Sequence, residues 1–129
     1  MKALKNQKGQ ALVEFAIVLP LILLIVLGIV QFGMLLNSYL SLTNAAREGA
    51  RTGVIGGNNY DIIETIINTS PTLNPSKMTI VPSPAEGYRV SGGTLTVSID
   101  YNYEFTVPII SSLFNNNIVL KTQTSMRIE

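Results

Sequence analysis

One uninterrupted apolar run near the N-terminus constrains this chain more than any other feature. The run covers residues 15–36, reads FAIVLPLILLIVLGIVQFGMLL, and contains Gln31 as its only strongly polar side chain. About 20 apolar residues cross the ~30 Å hydrocarbon layer of a membrane, so this run is long enough to span. We therefore predict a membrane-spanning helix over residues 15–36.

The charges on either side of the run predict its orientation. Lys2, Lys5 and Lys8 precede it, and the next charged side chain after it is Arg47. Basic residues stay on the cytoplasmic side, so we expect the N-terminus inside and the following domain outside. A cleavable secretory signal is the alternative, but its apolar core is only ~7–15 residues and ends in a small-residue cleavage site, which this run lacks.

Composition argues against several classes of function. The chain has no Cys and no His, which removes thiolate metal sites, disulfides and the commonest general base. Beyond residue 9, six basic and eight acidic side chains leave a net charge of −2, so no basic stripe remains for nucleic acid. Asp100, Asn102 and Glu104 share a predicted strand face, where alternate side chains diverge instead of enclosing a metal. We expect no enzyme activity, no cofactor, no metal and no nucleic-acid partner.

The helix is predicted to continue beyond the membrane. Residues 37–51 hold no proline, and a helix from about residue 10 to residue 51 would be ~60 Å long. Gly53 and the glycines at 56 and 57 supply its end. Pro20 removes one backbone hydrogen bond inside the span, so we expect a kink there.

The remaining residues predict a small domain with an α+β fold. Isoleucines at helical spacing indicate a short helix from residue 59 or 61 to Pro71, and a short strand is expected at residues 77–81. Strict alternation of apolar and polar side chains over residues 94–107 predicts a strand of ~43 Å, long enough to require a bend or bulge. The last twelve residues alternate in the same way. We expect an antiparallel sheet packed on the outer half of the long helix.

Small residues form a ridge on the helix just before its end. Ala45, Gly49 and Gly53 recur at a spacing of four, which permits close approach of another backbone. The approaching surface is either a helix of another subunit or the chain's own sheet, and the sequence leaves both interpretations open.

Two segments also resemble a known family. The sequence KGQALVEFAIVLPLILLIVLGIVQFG, continued by NAAREGAR at residues 44–51, resembles the TadE family of pilus-assembly proteins from tight-adherence (Flp) pilus systems. That family is similar to type IV pilins, whose leaders are cut by a prepilin peptidase after a Gly. The resemblance implies a cut between Gly9 and Gln10, which would make Glu14 the fifth residue of the mature chain.

This resemblance implies a domain organisation and a role. Residues 1–9 would be a basic leader, residues 10–53 a pilin-like helix, and residues 54–129 an extracytoplasmic domain. The chain would be a minor pilin or pseudopilin, anchored in the bacterial cytoplasmic membrane and then part of a pilus. Its partners would be the membrane, the prepilin peptidase, other pilin-like subunits and pilus-assembly proteins. The alternative is an uncleaved, anchored scaffold of the assembly machine.

Glu14 is the main candidate residue for assembly. A carboxylate near the hydrocarbon layer is costly without a partner, and cleavage would create an amine at Gln10, one helical turn away. The alternative is an interfacial glutamate favoured by the helix dipole.

Overall fold

The computed structural model describes residues 2–106, 108–113, 115 and 117–129, with side chains described from residue 6 onward except at 108 and 110. Val107, the last residue of the predicted long strand, lies outside the described residues. The described chain forms the following helices and strands: α1 (Lys2–Val54), α2 (Asn59–Thr69), β1 (Met78–Ser83), β2 (Thr94–Glu104), α3 (Pro108–Leu113) and β3 (Asn117–Arg127).

Helix α1 dominates the molecule. Its 53 residues give a length of ~80 Å, longer than predicted because the helix begins at Lys2, inside the predicted leader. The helix ends where Gly56 adopts a left-handed conformation with φ of 105°. The amides of Gly56 and Gly57 then bond back to the carbonyls of Gly53 and Thr52, a Schellman motif that satisfies the last turn. Gly53 therefore lies inside the helix, and Gly56 ends it.

Helix α2 follows after a turn of four residues and confirms the predicted short helix. Asn58 accepts a hydrogen bond from the Asp61 amide at 2.9 Å, and the Asp61 carboxylate accepts one from the Asn58 amide at 3.1 Å. This reciprocal capping box satisfies two amides of the first turn. Ile62 and Ile66 are fully buried, and they pack this helix against α1.

The three strands form one antiparallel sheet in the order β1-β2-β3. The central strand β2 buries the side chains at positions 95, 97, 99, 101 and 103 and turns the intervening polar side chains away from the core. A face that is apolar at every second residue must pack against another element, and here it covers the outer half of α1. The fold is therefore α+β, a long apolar N-terminal helix followed by a small antiparallel sheet, as the sequence predicts.

Strand β2 is shorter than its alternating pattern predicts. It ends at Glu104, and its ladder with β3 pairs one residue with one residue from Thr94 opposite Arg127 to Glu104 opposite Asn117. This ladder therefore contains no bulge, and of the bend or bulge that the sequence predicts, the bend stays a prediction. The amide of Thr106 does not bond within the sheet but donates to the side chain of Gln31 on α1. Helix α3, which no sequence pattern predicts, begins two residues later.

The core lies between the outer half of α1, the helix α2 and the inner face of the sheet. Its buried apolar side chains are Leu42, Ala45, Ala46, Ala50, Val54, Ile62, Ile66, Leu73, Leu95, Val97, Ile99, Tyr101, Tyr103, Leu120 and Ile128. The core residues of α1 all follow residue 41. The domain therefore buries apolar side chains of α1 only in the last part of that helix.

The preceding part of α1 exposes its apolar side chains. Within the described residues, α1 is the helix long and apolar enough to cross a membrane, and none of its most apolar segment is buried. Leu12, Ile17, Ile29 and Phe32 are each about two-thirds exposed or more. A core helix of a water-soluble domain would be covered, so length, composition and exposure together make α1 a candidate membrane span.

Candidate functional site

The predicted cleavage site lies on an open stretch of helix. Gly9 and Gln10 are exposed, and a Cβ atom added at Gly9 would meet nothing within 4 Å outside the local helix. Helix α1 runs through this position without interruption. No fold contact therefore constrains which side chain stands at residue 9.

Glu14 and Gln10 lie on one face of α1. The Gln10 side-chain amide donates a hydrogen bond of 3.3 Å to the Glu14 carboxylate, and both side chains are exposed. This contact follows from their spacing of four residues. In the uncut chain, Glu14 thus already has a neutral hydrogen-bond partner, the side chain of Gln10. Cleavage after Gly9 would add a charged amine at the same residue.

Pro20 lies inside α1, and the helix continues on both sides of it. Its ring nitrogen has no hydrogen, so the carbonyl of Ala16 receives no bond from it. The kink expected at this position stays a prediction.

The ridge of small residues contacts the chain's own helix and sheet. Ala45, Gly49 and Gly53 are all buried. A Cβ atom at Gly49 would lie 2.6 Å from Cγ1 of Ile66, and one at Gly53 would lie 2.8 Å from Cδ1 of Ile62 and in collision with Leu95. The absence of side chains at 49 and 53 therefore lets α2 and β2 approach the backbone of α1.

Gln31 is the polar side chain through which the apolar part of α1 contacts the domain. It is only 2% exposed, whereas its neighbour Phe32 is 67% exposed. Its amide nitrogen donates to the Tyr103 hydroxyl at 2.8 Å, and its carbonyl oxygen accepts from the Thr106 amide at 3.2 Å. The sequence marks Gln31 as unusual, because it is the only strongly polar residue in the apolar run. The sequence does not show that its partners are Tyr103 and Thr106.

Tyr103 is held in its neutral form at this contact. Burial raises the pKa of its hydroxyl above the ordinary value of 10.0, the hydrogen bond from Gln31 offsets part of that rise, and the nearby Tyr101 adds to it. The hydroxyl therefore stays protonated at neutral pH, so the contact with Gln31 joins two uncharged groups.

An apolar groove opens beside this contact. It has a volume of about 360 Å³ and lies between α1 and the end of the domain that contains the β2–β3 connection. Its lining is apolar apart from Gln31 and consists of Gly28, Gln31, Phe32, Leu35, Phe105, Leu113 and Ile118. The rings of Phe105 and Tyr103 meet edge to face with their centroids 5.5 Å apart, so Phe105 packs beside the residue that bonds to Gln31.

The polar face of the sheet offers little chemistry. Lys77 pairs with Glu104 at 3.3 Å, and both side chains are substantially exposed. Among the described residues, no group of three or more acidic side chains is placed to hold a metal ion. An exposed pair of this kind contributes little to stability, so we assign this face no site.

Comparison with known proteins gives one match. A family model described as "TadE-like protein" matches residues 9–51, which is about one third of the chain and covers most of α1. No curated protein and no solved structure matches the chain. The matched segment begins at Gly9 and ends at Arg51, and so includes the predicted cleavage site, the candidate span and two residues of the ridge. Residues 9–51 are therefore similar to the TadE-like family, which agrees with the resemblance noted from the sequence.

Proposed function

We propose that this chain is a minor pilin or pseudopilin of a tight-adherence type IV pilus system. Its role would be structural, in pilus assembly and through it in adhesion or secretion. One observation carries the proposal: a single continuous helix has an exposed apolar half and an outer half buried beneath a small domain. The TadE-like match over the same helix supports a role in pilus assembly.

The exposed half of α1 requires a non-aqueous environment. An apolar surface of this length in water is an aggregation hazard, whereas a bilayer or a bundle of similar helices covers it. A subunit that is first held in the membrane and then packed among other helices would use both environments in turn. The three lysines before the span support a cytoplasmic N-terminus and an external domain.

A structural role also agrees with the chemistry of the chain. The sequence contains neither His nor Cys, and the apolar groove beside α1 holds one polar side chain, Gln31, that already bonds within the protein. The partners we propose are the membrane, a prepilin peptidase, and pilin-like and assembly proteins.

A second candidate is an uncleaved scaffold anchored by the intact α1. The bond between Gln10 and Glu14 favours it, because Glu14 has a partner without any new amine. The mass of the intact protein recovered from membranes separates the two candidates. A chain that has lost residues 1–9 supports the pilin, and a full-length chain supports the scaffold.

The orientation of the chain in the membrane is tested on cells that express it. Protease added to intact spheroplasts should cut the external domain within residues 94–129, and detergent should add no new cut there. Cleavage that occurs only after detergent is added would show that the domain lies in the cytoplasm, and it would reject the proposal. Purified protein treated with the same protease shows that the folded domain can be cut.

A further inference from the structure

The end of the domain that faces the apolar half of α1 is uncharged and presents exposed apolar side chains. Residues 105–120, which connect β2 to β3 and begin β3, read FTVPIISSLFNNNIVL and contain no charged side chain. Ile109 is 57% exposed and Leu113 is 76% exposed. These two lie four residues apart on α3 and therefore share a helix face.

This uncharged tip lies beside the lipid-facing surface of α1. Leu113 and Phe105 form one wall of the apolar groove, and Gly28, Phe32 and Leu35 of α1 form the other. Phe32 is exposed, as are the apolar side chains that precede it on α1. The apolar surface of the candidate span therefore continues onto the domain along the groove, where the polar lining residue Gln31 is bonded to Tyr103 and Thr106.

The position of Gln31 indicates how deep this tip lies. The bonds of Gln31 to the domain move the expected span from residues 15–36 to residues 12–30, which are apolar except for Glu14 and measure ~28 Å as an α-helix, close to the ~30 Å hydrocarbon layer. Gln31 follows directly, with its amide bonded to Tyr103 and Thr106 of the domain. A hydrocarbon layer that ends near Gln31 places the groove, which extends from Gly28 to Leu35, across its outer edge.

We propose that the β2–β3 tip is a second membrane-contact site. The side chains of Ile109 and Leu113 enter the interfacial region of the leaflet on the domain side, and acyl chains of that leaflet fill the groove. This inference rests on the proposed membrane-spanning role of α1. Lipid is the occupant favoured here because the groove is continuous with the lipid-facing helix surface and its rim carries no charge to pair with a protein partner.

The absence of cysteine from the sequence makes a direct test available. Single-cysteine variants Leu113→Cys, Ile22→Cys and Val90→Cys are labelled with an environment-sensitive fluorophore in the full chain. Each protein is placed, one chain per disc, in nanodiscs of phosphatidylcholine and phosphatidylglycerol. Lipids that carry a spin label either near the headgroup or deep in the acyl chain then quench the fluorophore according to its depth.

Three positions are compared. Ile22 reports the centre of the span, and Val90, an exposed apolar residue in the segment that bonds to the distal β3 end, reports the aqueous side. We expect the Leu113 label to be blue-shifted relative to the Val90 label and to lose more emission to the shallow quencher than to the deep one. The Ile22 label should respond most to the deep quencher.

The outcomes separate this inference from the function on which it rests. If the Leu113 label has the emission and quenching of the Val90 label, while the deep quencher acts on the Ile22 label, the second membrane contact is wrong and the span is retained. A Leu113 label that is shielded from water but unquenched by either lipid also overturns it, because protein instead of lipid would then cover the tip. An Ile22 label that escapes both quenchers rejects the membrane span itself.

Discussion

The amide of Gln31 donates a hydrogen bond of 2.8 Å to the hydroxyl of Tyr103, 72 residues further along the chain. This bond joins the apolar helix to the far end of the central strand β2. Gln31 also accepts from the Thr106 amide, so one side chain bonds both to β2 and to the second residue after the strand ends. The rest of the domain then packs on the following turns of α1.

Replacing Gln31 by Leu should destabilise the domain. The change removes a buried partner from Tyr103 and from the Thr106 amide, and loss of such partners costs about 1–3 kcal/mol. Pulse proteolysis of the domain in detergent, across a urea series, measures the free energy of unfolding. Asn37→Leu, an amide exposed on the same helix, is the matched control and should change it by less than about 0.5 kcal/mol. Equal effects of the two variants would show that the bond contributes nothing.

Gly49→Ala should destabilise the domain despite the better helix propensity of alanine. The new methyl would meet the fully buried Ile66 at 2.6 Å, and overpacking costs about 1–3 kcal/mol, against a propensity gain of about 1 kcal/mol. Gly33→Ala, where an added Cβ meets nothing within 4 Å beyond the local helix, should be neutral or stabilising. The same proteolysis assay compares them. If Gly49→Ala is as stable as Gly33→Ala, the close approach of α2 to this ridge is not required.

Gly9→Val should prevent removal of the leader while leaving the fold intact. A peptidase that reads a small residue at the cut cannot seat the larger side chain, and the open surroundings of Gly9 give the new side chain nothing to collide with. Intact mass of the membrane-bound protein gives the result, with Gly9→Ala as the control that should still be cut. A Gly9→Val chain that still begins at Gln10 contradicts the predicted cleavage rule.

Glu14→Gln should separate processing from assembly. The variant keeps the shape of the side chain and removes its charge, so it should insert and be cut normally but co-purify poorly with pilin partners. The physical reason is that a carboxylate at the edge of the hydrocarbon layer is stabilised by a nearby cation, here the amine that cleavage creates. Glu64→Gln, an exposed change on α2, controls for loss of charge alone. If Glu14→Gln and the parent recover their partners equally at equal expression, the charge-pair role is wrong. Glu14 is then an interfacial glutamate favoured by the helix dipole.

Much of the fold was predictable because its signals are local. The length of the apolar run, the alternation along β2 and the isoleucine spacing of α2 each depend only on residues close in sequence. The sequence predicts the end of α1 a few residues early, since Gly53 and Gly56 are both glycines and only the backbone shows which one adopts a positive φ. The short helix α3 has too few residues for a helical period to be visible.

What the sequence determined by itself is the architecture, namely a membrane-length helix and a strand that must bury one face. It also carries the similarity of residues 9–51 to the TadE-like family. Only the tertiary structure decided which residues of α1 contact which residues of the domain. It placed Ile62, Ile66 and Leu95 against the ridge of small residues, where the sequence left open both another subunit and the chain's own sheet. It also joined Gln31 to Tyr103 and brought Leu113 to the groove beside Phe32. These contacts link residues far apart in the chain, and their existence depends on the registry of a sheet on a helix, which no local pattern encodes.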